Sequence, residues 1–139
     1  ALQPFVGEHG ALRVPNLACH GCEEGCGVAG YKACAQGCVH ALYKFYAYVR
    51  PQNLTMGWSR DRIIEAFNAE GVPCYHGSCS EAYLEKVFDG TGWRPPKRLP
   101  VAQELGETSL MFLVHPTLTP ANIAQTTTVM KKIFKKAQA

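Results

Sequence analysis

An α+β fold, with a small, mostly antiparallel sheet and helices on one face, is what this chain of 139 residues predicts. Three observations carry that prediction. Residues 40–51 (HALYKFYAYVRP) alternate as a strand does, Ser59 and Thr119 each open an amphipathic helix, and SLMFLV at 109–114 is an apolar run of strand length.

In 40–51, Leu42, Lys44, Tyr46 and Tyr48 fall on one side and Tyr43, Phe45, Ala47 and Val49 on the other. Aromatic and branched residues at period two favour a pleated strand. Arg50-Pro51 ends it, because proline cannot donate to a ladder. Ser59 is a good N-cap, Asp61 suits the positive helix end, and Gly71 stands where a C′ glycine belongs, so 60–70 reads as a helix with Ile63, Ile64 and Phe67 inward. Val72 to Tyr75 reads as a short strand. Ser78-x-x-Glu81 matches a capping box, which predicts a helix carrying Tyr83, Leu84, Val87 and Phe88 and ending near Asp89-Gly90.

Residues 89–98 (DGTGWRPPKR) are a loop by composition. Residues 99–107 predict a short helix with Val101, Ala102 and Leu105 inward. The apolar run to Val114 predicts a buried strand, closed by His115-Pro116. His115 reads as a hydrogen-bonded turn residue, since no carboxylate stands near it in sequence. Thr119, with Pro120 at the first helical position, opens a last helix whose apolar side is Ile123, Val129, Met130, Ile133 and Phe134.

Composition sets bounds on function. The chain is 47 % hydrophobic and 18 % charged, in the globular range, with a net charge of +3. Lys131, Lys132, Lys135 and Lys136 cluster near the end, where they complement a helix dipole and read as a solvated face rather than a nucleic-acid surface. No apolar run approaches the roughly 20 residues a membrane span needs. No basic stretch followed by an apolar core opens the chain, so no signal peptide is visible. A cytoplasmic, reducing setting is the expectation, with cysteines as thiols or metal ligands. The chain begins with Ala1 rather than Met, which fits processing or truncation.

Residues 1–40 form a lead-in and a cysteine-rich segment, and 41–139 the ordered domain. Residues 1–18 show no period and read as an extended lead-in. Cys19, Cys22, Cys26, Cys34 and Cys38 follow with gaps of two, three, seven and three residues, near His20 and His40. Cys19-His20-Gly21-Cys22 can be half of a tetrahedral zinc site. The other gaps are not those of a zinc ribbon or a ferredoxin. Structural zinc and free thiols both stand as readings of this segment, an iron–sulfur cluster less so. Cys74 and Cys79 have no cation beside them in sequence and read as structural.

YKFYAYVRP, GVPCY, GSCSEAYLEKVF and LPVAQELGETSLMFLVHPTLT, followed by a lysine-rich helix, resemble in their order the C-terminal small domain of the DegT/DnrJ/StrS family over residues 41–138. The resemblance implies a pyridoxal-phosphate-dependent enzyme that aminates keto-sugars linked to nucleotides. It also implies that the lysine, the acid and the phosphate cradle for the cofactor lie in a large domain not matched here, and that this chain alone is not catalytic. Lys44, among strand aromatics, is not that lysine. The implied partners are the large pyridoxal-phosphate-binding domain of the same protein, a second subunit in a homodimer, and a nucleotide-linked sugar. Relatives either aminate or dehydrate, the choice sitting at the lysine of the large domain. Family members follow the first helix with a His-Tyr-Pro phrase facing the sugar nucleotide. Here that region is GVPCYHGSCSEAY, shorter, with Gly77-Ser78 in place of Tyr-Pro, so Tyr75, His76, Ser78 and Glu81 become the substrate-side candidates. The alternative functions are a stand-alone cysteine-rich metal-binding module and, more weakly, a thiol redox protein.

Overall fold

In a computed structural model, residues 3–6, 9–14, 42–77 and 79–139 are described. In chain order the elements are β1 (Leu12–Arg13), β2 (Lys44–Val49), α1 (Arg60–Ala69), β3 (Cys74–Tyr75), α2 (Pro100–Thr108), β4 (Ser109–Leu113) and α3 (Pro120–Ala137). The strands form one sheet, ordered β1-β2-β4-β3, with every pairing antiparallel. The expected fold class holds. Both edge strands are two residues long, which leaves little unpaired edge.

Alternation on β2 sends Ala47 and Val49 into the core, and their neighbours across the sheet follow. Leu12 pairs with Val49, Leu110 with Ala47, and Phe112 with both Phe45 and Cys74. Against this face lie Ile63, Ile64 and Phe67 of α1 and Val129, Met130, Ile133 and Phe134 of α3. Phe67 is the centre: its ring meets Phe112 edge-on at 5.1 Å and Phe134 at 6.3 Å. The lysines at 131, 132, 135 and 136 are all exposed on α3, and Lys132 reaches Glu70 at 2.7 Å.

The helix ends form as their sequences dictate. The Ser59 hydroxyl accepts from Arg62 N–H. Gly71 takes φ +73°, Val72 N–H returns to Phe67 O and Gly71 N–H to Asn68 O, so α1 closes in a Schellman turn. Thr119 and Asn122 cap each other reciprocally at the start of α3. The Asn68 side chain then stitches α1 to β3, donating to Cys74 O at 2.8 Å and accepting from Cys74 N–H at 3.3 Å.

Three expectations are corrected. The helix over 78–89 is absent from the described residues there, and two single 3-10 turns, Ala82–Leu84 and Lys86–Phe88, stand in its place with no side-chain cap. The reason is Arg94. Its guanidinium takes Tyr83 O, Leu84 O and Glu85 O at 2.8–3.0 Å, carbonyls that an α-helix would have given to its own amides. Second, Val101 is 65 % exposed and Ile123 53 % exposed, so neither is a core residue. Third, part of the lead-in joins the sheet as β1, where the Arg50 side chain donates to Gly10 O at 2.9 Å and Leu12 O at 2.8 Å.

Gly10 is where that lead-in folds back on itself. A Cβ there would lie 2.2 Å from Phe5 O, a backbone atom with nowhere to go. Gly10→Ala should therefore displace residues 3–6 from Phe134 and destabilise the chain by about 1–3 kcal/mol, read from a urea unfolding curve. An unchanged midpoint would mean that this turn carries no stability.

Candidate functional site

β3 ends in Tyr75, 47 % exposed, and the chain then turns through His76 and Gly77. Gly77 N–H donates to the buried Ser109 Oγ at 3.0 Å, which holds the turn against β4. A Cβ at Gly77 would come 2.4 Å from that oxygen, so the turn sits closer to the sheet than any other residue allows. His76 Nε2 lies 3.4 Å from Asp61 Oδ1 in the first turn of α1. Asp61 also meets Arg60, whose Nη1 donates to Gly106 O on α2 at 3.0 Å. One polar chain thus ties the turn, the start of α1 and α2 together.

Beside the turn is a groove of about 540 Å³, walled by Tyr46 and Tyr48 from the sheet and by Leu99, Val101 and Leu105 along α2, with Gly77 and Ser80 at its edge. α2 therefore flanks the sheet face opposite to the one filled by α1 and α3.

Glu81 is committed elsewhere. Arg98 grips its carboxylate with two bonds, Nε to Oε1 at 2.7 Å and Nη2 to Oε2 at 2.6 Å, and Tyr83 Oη donates to Oε1 at 2.8 Å. Tyr83 Oη in turn accepts from Leu99 N–H at 2.9 Å. The Arg98 hydrogen bonds hold the Glu81 carboxyl below its ordinary range. Burial, with the bond it gives Glu81, raises the Tyr83 phenol. A depressed carboxylate stabilises the folded form above its unfolded pKa, and that contribution fades as pH falls through the acid range. Glu81 therefore pins the 81–99 segment to the start of α2.

Of the substrate-side candidates, the fold brings Tyr75 and His76 together at one turn and turns Glu81 inward to Arg98 and Tyr83. Ser78 lies outside the described residues. So do Cys19, Cys22, Cys26, Cys34 and Cys38, the zinc candidates. Among the described residues no group of three or more His, Cys, Asp or Glu is placed to hold a metal. His115 is a turn residue, its Nδ1 2.6 Å from Thr117 Oγ1.

The two described cysteines differ. Cys74 is fully buried in the core, and burial pushes its thiol up to about 12, while Cys79 is exposed. The raised pKa keeps Cys74 a thiol through the neutral range, and stability falls as pH climbs above the ordinary thiol value, where only the unfolded state ionises. In the native chain at pH 8, iodoacetamide should modify Cys79 and spare Cys74, resolved by peptide mapping. Equal labelling of the two would contradict this packing.

Reasoning from sequence missed the groove. Its signal was present: β2 carries tyrosines on one side and core residues on the other, as a strand covered on both faces does. The Glu81–Arg98 pair spans 17 residues of irregular chain and had no sequence signal.

Pyridoxal phosphate needs a lysine to bind it covalently, an acid for its pyridine nitrogen and a phosphate cradle. Among the described residues no lysine is buried. Lys44 is partly exposed, with Nζ 5.2 Å from the centre of the Tyr43 ring, and the other described lysines lie on the surface. The described residues do not fit the cofactor.

No protein-family model and no curated protein matches the chain. Among solved structures it is similar to the aminotransferase from Psychrobacter cryohalolentis, with 61 % identity and a TM-score of 0.67 over 70 % of this chain and 25 % of that one. It shares the fold of part of a DegT DnrJ EryC1 StrS aminotransferase from Brucella abortus, with 19 % identity and a TM-score of 0.50 over 66 % of this chain and 22 % of that one. The chain spans about a quarter of the length of the aminotransferases it matches. The resemblance carried by residues 41–138 is borne out: over about 70 % of its length this chain is like a piece of an aminotransferase.

Proposed function

We propose that this chain is the small-domain part of a pyridoxal-phosphate-dependent aminotransferase acting on a nucleotide-linked keto-sugar in the cytoplasm. In the assembled enzyme, a homodimer, it forms one wall of the substrate cleft and is not catalytic alone. The observation that carries this is the 61 % identity to an aminotransferase over 70 % of the chain. Pyridoxal phosphate, held by the remainder of the enzyme, supplies the electron sink for amino transfer. On this side, Tyr75 offers an exposed phenol for stacking or hydrogen bonding to the sugar nucleotide. His76, held toward Asp61, offers an imidazole N–H to a hydroxyl or phosphate oxygen. Ser78, next in sequence to Gly77, completes the candidate set. Glu81 acts at one remove, as a positioning residue that fixes the neighbouring segment through Arg98.

The test is a hybrid in which the full chain replaces the matching quarter of the Psychrobacter cryohalolentis aminotransferase. Expected are retention of pyridoxal phosphate through gel filtration and amino-sugar product, by mass spectrometry, from a nucleotide-linked keto-sugar and glutamate. The isolated chain should retain no cofactor. A folded, cofactor-loaded hybrid that aminates no such sugar would overturn the substrate reading.

A further inference from the structure

The loop from Glu81 to Leu99 is tied shut at its base and braced along its length. Arg98 clamps Glu81 with two bonds, and Leu99 N–H donates to Tyr83 Oη. Arg94 takes the carbonyls of Tyr83, Leu84 and Glu85 and pairs with Asp89. Nearer the tip, Thr91 Oγ1 donates to Phe88 O at 2.9 Å and accepts from Trp93 N–H at 3.2 Å. Gly90 and Gly92 take φ +71° and +76° with open space around them, so they serve the turn itself. Loops with joined ends and internal bracing frequently carry function. This bracing does not bury the loop's large apolar groups: Trp93 is 78 % exposed and Val87 75 % exposed. An indole left in water forgoes the stabilisation that burial would give. What the hydrogen bonds achieve is to fix where the Trp93 ring stands.

We infer that this loop presents Trp93 as a stacking platform for the base of the nucleotide-linked sugar. The inference rests on the proposed function and assigns the nucleotide end of that substrate. A diphosphate separates sugar from base in such a molecule, so the base needs a site apart from the turn at Tyr75 and His76. The loop leaves from that turn: Glu81 follows Gly77 by four residues, and Gly77 and Ser80 edge one groove. An indole face takes any base, because every base has a flat ring to stack. A single rigid aromatic with two torsions also loses little freedom on binding. The loop's charge suits the diphosphate. Arg98 and Arg94 neutralise Glu81 and Asp89, which leaves Lys86 and Lys97, both exposed, against Glu85.

The hybrid described above tests this, made in parallel with Trp93→Ala and Trp93→Tyr. Binding of uridine, thymidine, cytidine and guanosine diphosphates is measured by titration calorimetry, and KM with the nucleotide-linked keto-sugar. Trp93→Ala should weaken the tightest of these nucleotides, and raise KM, by about 5- to 100-fold. The loss should fall on KM rather than kcat, and Trp93→Tyr, which keeps a ring, should recover most of it. A hybrid that aminates the sugar while Trp93→Ala changes neither constant overturns the platform and leaves the aminotransferase reading intact. A folded, cofactor-loaded hybrid that binds none of the four nucleotides overturns the substrate reading and the platform with it. Cofactor loss in Trp93→Ala would make the ring a structural contact and overturn the assignment. So would protection of Trp93 from hydroxyl-radical labelling in the nucleotide-free hybrid, since protein would then cover the ring.

Discussion

Phe67→Ala should cost about 3–5 kcal/mol, a large share of the about 5–15 kcal/mol that small domains hold in total, and lower the unfolding midpoint sharply. The size follows from position. Phe67 is fully buried and touches both the sheet, through Phe112, and the last helix, through Phe134. Removing the ring opens a cavity between two layers that cannot both move in, because α1 is fixed at its two ends. Ser59 caps one end and the Gly71 turn with the Asn68–Cys74 stitch closes the other. Phe67→Leu, which keeps most of the volume, should cost well under half as much. Urea unfolding followed by far-ultraviolet circular dichroism separates the two variants. Equal midpoints for Phe67→Ala and the parent chain would mean that the core lies elsewhere.

Elements with local signals were legible. α1 and α3 were marked by caps and an apolar stripe, and β2 by its alternation, so the bounds of α1 and β2 and the start of α3 fall within two residues of expectation. The failures share a physical cause. The 78–89 stretch has a helix's apolar spacing, but Arg94 outbids the helix for three carbonyls, and nothing local announces an arginine that folds back ten residues. β1 is two residues long and exists because Val49 and Arg50, far along the chain, complete it. Tertiary partners decided both cases over propensity.

The candidate site divides in the same way. The placement of Tyr75 and His76 at a turn was legible because they follow a helix and a strand whose ends are set locally. Glu81 was singled out by spacing, and its carboxylate proves to be bound by Arg98 and Tyr83, so its geometry assigns it to holding the segment. The groove over Tyr46 and Tyr48 needed the sheet order, since it takes β4 and α2 to make its other walls.

Arg50→Met is the sharpest probe of how the lead-in is held. Its guanidinium donates to Gly10 O and Leu12 O, and charge-assisted bonds of this kind are worth roughly 1.5–3 kcal/mol when a partner is lost. Asn53 still serves Gly10 O, at 3.0 Å, and Arg50 N–H still donates to Ala11 O, so the first strand is weakened rather than erased. The expected result is local: amides of residues 11–13 exchange faster by one to two orders of magnitude, while those of β4 and α3 keep their protection. The global midpoint should then move less than in Phe67→Ala, because among the described residues β1 and its flank contribute just Ala11 and Leu12 to the fully buried hydrophobic core. If exchange at 11–13 stays slow in Arg50→Met, side-chain packing of Leu12 against Val49 holds the strand, and the arginine is dispensable. If exchange accelerates throughout the sheet, β1 is part of the cooperative core, and the domain has to be counted from Gly10 rather than from β2.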